Sequence, residues 1–393
     1  MRVTRRQALS TLAAAAGSAA VLRGRYRLFA SSAAEYSART VRLVEESVVV
    51  DLLNQFQFPD YAVKPPRIEQ WLADPAAYTA ADAARYRTSG ITCFALGAGS
   101  RDYDDGIRFF AEWNGLLAGR GEWLMRIDTV ADFARAKRDG LTGVMLTLQD
   151  STHFRRPDDV NACFGLGQRI SQLTYNMSNR IGSGFLEQRD GGLTVFGLSI
   201  LERMQQVGMA VDLSHCGDQT TLDGLAAATR PVLFTHANAR ALLPGRLRCK
   251  TDEMIGKLAA LGGVMGISFL RFMAKDTEPV TIEDALDHVD HVAKLAGVEH
   301  VAIGSDLDLP GNPNAVGGSG FDPRRQPNFE RYGYHEAADG SITIDGLDHP
   351  KRVYDFTEGL TRRGYSDGDI RLVLGGNAVR ALGAIWPPER PAA

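Results

Sequence analysis

Eight short apolar runs, each tied to helix-type sequence, constrain the fold of this chain more than any other feature. In order they read SVVVDLL, ITCFALGA, GVMLTLQD, ISQLTYN, MAVDLSH, PVLFTHA, VMGISFL and VAIGSDLDL. They are rich in Val, Ile, Leu and Phe without strict alternation, the pattern of strands buried on both faces. Segments such as TAADAARYRTSG, VADFARAKRDG, GLSILERMQQVG and TIEDALDHVDHVAKLAG separate them, as parallel crossovers require. Eight repeats of strand then helix predict an α/β chain folded as a (β/α)8, TIM-like barrel. The rival, an open doubly wound sheet, lacks its Gly-rich phosphate turn after the first run. The chain has 393 residues, 44% of them hydrophobic, and no linker divides it, so residues 34–393 are expected to form one barrel domain. The Gly-, Pro- and Asn-rich stretch at 310–346 follows the eighth run, where barrel enzymes place loops that cover the substrate.

The N-terminus pairs Arg5 with Arg6 ahead of an Ala/Leu-rich stretch and small residues near Ala30 to Ala33. Residues 1–33 therefore read as a twin-arginine-type export signal, with a periplasmic or extracellular destination. No other stretch is apolar for long enough to span a membrane. Residues 1–33 hold six Arg and no acids, so the remaining chain carries a formal charge of −9. That balance argues against nucleic acid or anionic lipid as a partner. The four cysteines, Cys93, Cys163, Cys216 and Cys249, show no CxxC spacing and read as separate buried thiols.

In a barrel, polar residues at the C-terminal ends of the strands face the active-site mouth. Here those ends supply Asp51 with Asn54 and Gln55, then Gln149 and Asp150, Tyr175 and Asn176, His215, His236, and Asp306 with Asp308. Any one of these histidines alone would read as a satisfied core residue. Two on successive strands with a carboxylate across the mouth are a common three-ligand metal set that leaves a position for water. His153, close after Gln149, reads as a solvated loop histidine in preference to a replacement ligand. His288 with His291, at a spacing that can bind metal, reads as the solvated face of an outer helix.

The ordered blocks LTYN, DGGLTVFG, VGMAVDLSH, THANARAL, RLRCKTDEMI, LGGVMGISF, IGSDLD and LGGNAVRAL make the resemblance specific. They are similar to those of the renal or membrane dipeptidase family, peptidase family M19, from Asp51 to about Leu382. That resemblance implies a distorted (β/α)8 barrel of the amidohydrolase, metal-dependent hydrolase type, with two zinc ions bridged by a glutamate. It implies cleavage of dipeptides and related amides, and a homodimer. Residue by residue, it matches the family's second-metal histidines to His215 and His236, its strand-eight aspartate to Asp306, and its carboxylate-binding arginine to Arg248.

The chain also departs from that pattern. Leu53 and Gln55 stand where the family has His-x-Asp, Gln149 stands for the bridging glutamate, and Tyr175 for the histidine that contacts the scissile carbonyl. Leucine cannot ligate zinc, and a glutamine amide lacks the charge that two dications need. The expectation is one zinc, held by His215 and His236 and completed by Asp306, the Gln149 oxygen or Asp150. Asp306, as base or ligand, and Tyr175, as donor to an oxyanion, are the expected catalytic residues. Arg248, Asn176 and Gln149 are the expected substrate contacts. The function read from this is an exported hydrolase of a small peptide or N-acyl amino acid. A silent carboxylate-binding protein and a non-hydrolytic tailoring enzyme on a peptide-derived metabolite are the alternatives.

Overall fold

The computed structural model of the chain describes residues 25–26, 35–57, 67–311, 333–336, 338 and 340–387. The export signal lies outside the described residues apart from 25–26, and so does most of the loop at 310–346.

Eight strands form the barrel: β1 (Val50–Asn54), β2 (Cys93–Leu96), β3 (Thr142–Leu148), β4 (Gln168–Gln172), β5 (Ala210–Asp212), β6 (Leu233–Ala237), β7 (Val264–Ile267) and β8 (Val301–Ile303). Each pairs in parallel with its neighbours, and the Ile303–Asp51 register joins β8 back to β1. The ring is therefore closed, so none of its eight strands is an unpaired edge. A further short strand, Leu124–Arg126, pairs with β3 outside the ring and is not foreseen from the apolar runs.

Helices follow the strands as the alternating pattern predicts, and local chemistry sets their ends. Thr79 with Asp82, Thr129 with Asp132 and Thr281 with Asp284 are capping boxes, each satisfying backbone donors that the first turn leaves open. Gly140 and Gly208 end their helices in the left-handed conformation, at φ 69° and 86°, which glycine adopts without strain.

Alternate strand residues enter two separate apolar clusters. Phe94 and Leu96 join the large cluster shared with most helices. Cys93 and Ala95 join a second cluster with residues of the last helix, Asn377–Ile385. Strands buried on both faces produce this division, and it accounts for the lack of strict alternation in the sequence.

Close packing beside β6 demands glycine twice. A Cβ on Gly304 would lie 1.8 Å from the Thr235 carbonyl oxygen, and one on Gly266 would lie 2.1 Å from it. The backbone before His236 thus sits tight against β7 and β8. All four cysteines are buried and free.

Candidate active site at the C-terminal mouth of the barrel

His215 lies three residues beyond the end of β5, and His236 lies within β6. Their Nε2 atoms stand 2.9 Å apart, and both side chains are buried. Each ring is oriented from behind. His236 Nδ1 lies 2.8 Å from Thr235 Oγ1, whose own hydrogen goes to Asp212 Oδ2 at 2.6 Å. The hydroxyl therefore accepts from His236 Nδ1–H, which leaves the Nε2 lone pair facing the mouth. His215 Nδ1 donates to Asn176 Oδ1 at 2.7 Å, with the same consequence. Tyr175 lies against the His215 ring, centroids 4.3 Å apart and planes at 23°.

Two bare imidazole lone pairs at this separation repel unless a cation lies between or beside them. The pair therefore fits one metal ion. It does not fit two. Leu53 is buried hydrocarbon, and Gln55 and Gln149 carry no charge. Among the described residues no group of three or more His, Cys, Asp or Glu is gathered closely enough to hold a metal ion. Asp306 comes nearest as a third donor, its Oδ2 4.0 Å from His236 Nε2.

Asp306 occupies a left-handed backbone conformation, φ 60°, tolerated by aspartate better than by most residues but still strained. Its amide donates to Leu53 O at 2.9 Å, and its Oδ1 accepts from Gln55 Nε2 at 3.4 Å. Gln55 thus serves the neighbouring carboxylate as a donor, which an aspartate at this position could not do when ionised. Gln149 Oε1 and Asn176 Nδ2 are buried without a hydrogen-bond partner, and unmet polar atoms at a barrel mouth await a ligand or water.

The electrostatics follow from burial and two cations. Burial holds both imidazoles well below their usual pKa, and the Arg248 charge pushes each further in the same direction. Burial raises the Asp306 carboxyl to about 7, against the pull of Arg248. Arg248 is buried and donates from Nη1 to Ser214 O at 2.6 Å and from Nη2 to His236 O at 2.8 Å. One hydrogen on each Nη and the Nε–H remain for a ligand. Lys250 is buried as well, donating to Cys216 O at 3.0 Å and Thr221 Oγ1 at 3.1 Å, and burial lowers its pKa to about 8.

The structure therefore gathers His215, His236, Tyr175, Asn176 and Asp306 at one mouth, with Arg248 donating to the carbonyls of Ser214 and His236 beside the pair. It corrects two other readings. His153 is not solvated: it is fully buried, 3.3 Å from Ser100 Oγ and 3.1 Å from Gln168 Oε1. His288 is buried under its helix, accepting from Ala239 N–H at 3.1 Å and donating to Ala274 O at 3.0 Å. His291 does sit in a solvated ion pair, 2.8 Å from Asp252. The orienting pair Asp212 and Thr235 went unread in the sequence, although a polar residue inside each apolar run, in AVDLSH and LFTHA, was its signal.

The model of the membrane dipeptidase family, peptidase family M19, matches residues 114–319. The dipeptidase verJ of Clonostachys rogersoniana is 30% identical over 231 residues, covering 58% of this chain and 51% of that relative. The dipeptidase tcpJ of Claviceps purpurea is 29% identical over 192 residues, 49% of this chain and 38% of its own length. The matched stretch thus spans about half or less of these curated relatives. An amidohydrolase from Pseudomonas aeruginosa superposes with a TM-score of 0.72 at 25% identity, over 88% of this chain and 99% of that one. The probable dipeptidase PvdM from the same organism gives a TM-score of 0.69 at 16% identity over 88% and 97%, a likeness of fold. Barrel, ordered motifs and matched family model lead to one assignment: the chain belongs to the membrane dipeptidase family, peptidase family M19, a family of metal-dependent hydrolases.

Proposed function

We propose that this protein is an exported hydrolase that cleaves the amide bond of a small peptide or N-acyl amino acid with the help of a single zinc ion. The observation that carries the reading is the pair of Nε2 lone pairs 2.9 Å apart, each turned outward by a partner on Nδ1. His215 and His236 would hold the ion, with Asp306 beside them either as a third donor or, left free, as the base. Such an ion supplies Lewis acidity for a substrate carbonyl.

The residues of the chain supply the rest. With Asp306 left free of the ion, its carboxylate takes the proton of the attacking water and returns it to the leaving amine. The Tyr175 phenol donates to the oxyanion as the carbonyl becomes tetrahedral. The remaining Arg248 donors hold a substrate carboxylate, and Asn176 Nδ2 and Gln149 Oε1 gain partners when substrate enters.

Metal content measured on protein purified without added zinc or chelator tests this. About one zinc per chain is expected, falling towards none in His215→Ala and in His236→Ala, because neither of two strong ligands can be spared. A second reading, a carboxylate-binding protein without hydrolysis, draws support from Arg248 and Lys250 beside neutral Gln55 and Gln149. Zinc-free protein that still binds a carboxylate ligand would favour it. The export half of the proposal rests on Arg5 and Arg6. Their joint replacement by lysine is expected to strand the protein in the cytoplasm, and unchanged export, read by cell fractionation, would refute it.

A further inference from the structure

A cavity of about 370 Å³ opens beside the histidine pair, lined by Asp150, Thr152, Tyr175, Asn176, Met177 and Asn179 with their neighbours. Its size suits a small ligand group. Tyr175 and Asn176, which stack on and hydrogen-bond to His215, form the wall it shares with the site. In barrel order the cavity belongs to the ends of β3 and β4, whereas Arg248 follows β6. A substrate whose carboxylate lies on Arg248 and whose amide lies at the histidines therefore extends its other end towards this cavity.

Asp150 is set there as a fixed acceptor. Its Oδ1 receives Thr152 N–H at 2.9 Å, the Thr152 hydroxyl at 2.5 Å and Asn179 Nδ2 at 2.8 Å. Asn179 is itself held, donating to Leu173 O at 2.8 Å and accepting from Ile181 N–H at 2.7 Å. Oδ2 takes none of these bonds. Arg180 also lines the cavity, but its guanidinium lies 4.2 Å over the Phe196 ring and donates to Arg155 O. Among the described residues no cation forms an ion pair with Asp150.

We propose that this cavity is an alkylammonium subsite in which Asp150 holds a positively charged nitrogen of the substrate. The subsite rests on the hydrolase reading for the placement of the amide. The nitrogen comes from one of two sources with the same chemistry, the α-ammonium of a free dipeptide or the head of a lysine-type side chain on a blocked one. Three donors on a compact cation meet the Asp150 carboxylate, whose Oδ2 takes no bond from Thr152 or Asn179.

Calorimetric titration of the full chain with alanylalanine, N-acetyl-alanylalanine and N-acetyl-lysylalanine tests the proposal. One of the two ammonium-bearing probes is expected to bind about tenfold to a hundredfold more tightly than N-acetyl-alanylalanine, as for a charge-assisted hydrogen bond. Which of them does so identifies the source. Asp150→Asn should erase the difference and leave N-acetyl-alanylalanine binding unchanged, because asparagine closes the same turn on Thr152 N–H. Asp150→Ser serves if asparagine disturbs the loop, since a hydroxyl also closes such a turn. Equal binding of the three probes, no binding of any of them, or a preference that survives loss of Asp150 overturns the subsite. Turnover and zinc content on the same preparations judge the hydrolase reading separately. Ammonium preference without turnover keeps the subsite and removes hydrolysis, and turnover without preference does the reverse.

Discussion

At His236 the tautomer is decided two bonds behind the ring, where Asp212 takes the Thr235 hydroxyl hydrogen and so obliges that oxygen to accept from Nδ1. His288 shows the same control used for stability. Its Nδ1 accepts a backbone N–H while Nε2 donates to a carbonyl, so only the neutral ring fits. Burial accordingly lowers its pKa from 6.5 to about 4, and burial does the same to His153. Between those values the unfolded chain binds the proton and the folded chain does not. Stability present above pH 6.5 is therefore lost as the pH falls towards 4, by at most roughly 3 kcal/mol for each residue. Urea unfolding at pH 7 and pH 5 should show this loss. His288→Gln should be less stable at pH 7 yet lose less between the two pH values, and an unchanged loss would contradict the assignment.

At the level of elements, the site depends on how closely β6, β7 and β8 approach. The Thr235 carbonyl lies where a methyl on Gly304 or Gly266 would have to go, and the next residue is His236. Gly304→Ala is expected to cost about 2 kcal/mol or more, since the clash is with backbone that has no rotamer to escape into. It should also weaken zinc binding, because β6 carries one member of the pair. A variant with full stability and full zinc content in chemical denaturation and metal analysis would show that the strands give way more easily than this packing suggests. The helix caps, by contrast, are local. Thr79, Thr129 and Thr281 each close a turn with an aspartate three residues on, and those ends are readable from short strings.

For the whole molecule, the proposed single-ion site turns on the charge at the mouth. Two buried cations, Arg248 and Lys250, stand near the pair, while the positions that hold the other ion and bridge the two in the resembling family are Leu53, Gln55 and Gln149. Joint replacement by Leu53→His, Gln55→Asp and Gln149→Glu should raise zinc from about one towards about two per chain. Each single change should do little, because a second dication needs several ligands at once. No gain in the triple variant, by metal analysis, would mean that the three positions do not face a common point. Among the described residues no helix is long and apolar enough to cross a membrane.

Periodicity is a local property, and so the eight runs and the closed parallel barrel they build were legible in the sequence. The neighbourhood of His215, His236 and Asp306 was legible too, because each lies within or just beyond the end of a strand. Burial and distance are not local. Whether ALDHVDHVAKLAG turns His288 inward or outward depends on where Ala239 and Ala274 lie, residues 49 and 14 positions away. The 2.9 Å gap between two imidazoles, the Asp212–Thr235 hydrogen bond behind one of them, and Asp150 beside a cavity likewise join segments that are distant in the chain. Only the tertiary structure decided these, because the free energy of a buried polar group is set by the partners that packing brings to it, whatever its neighbours in sequence.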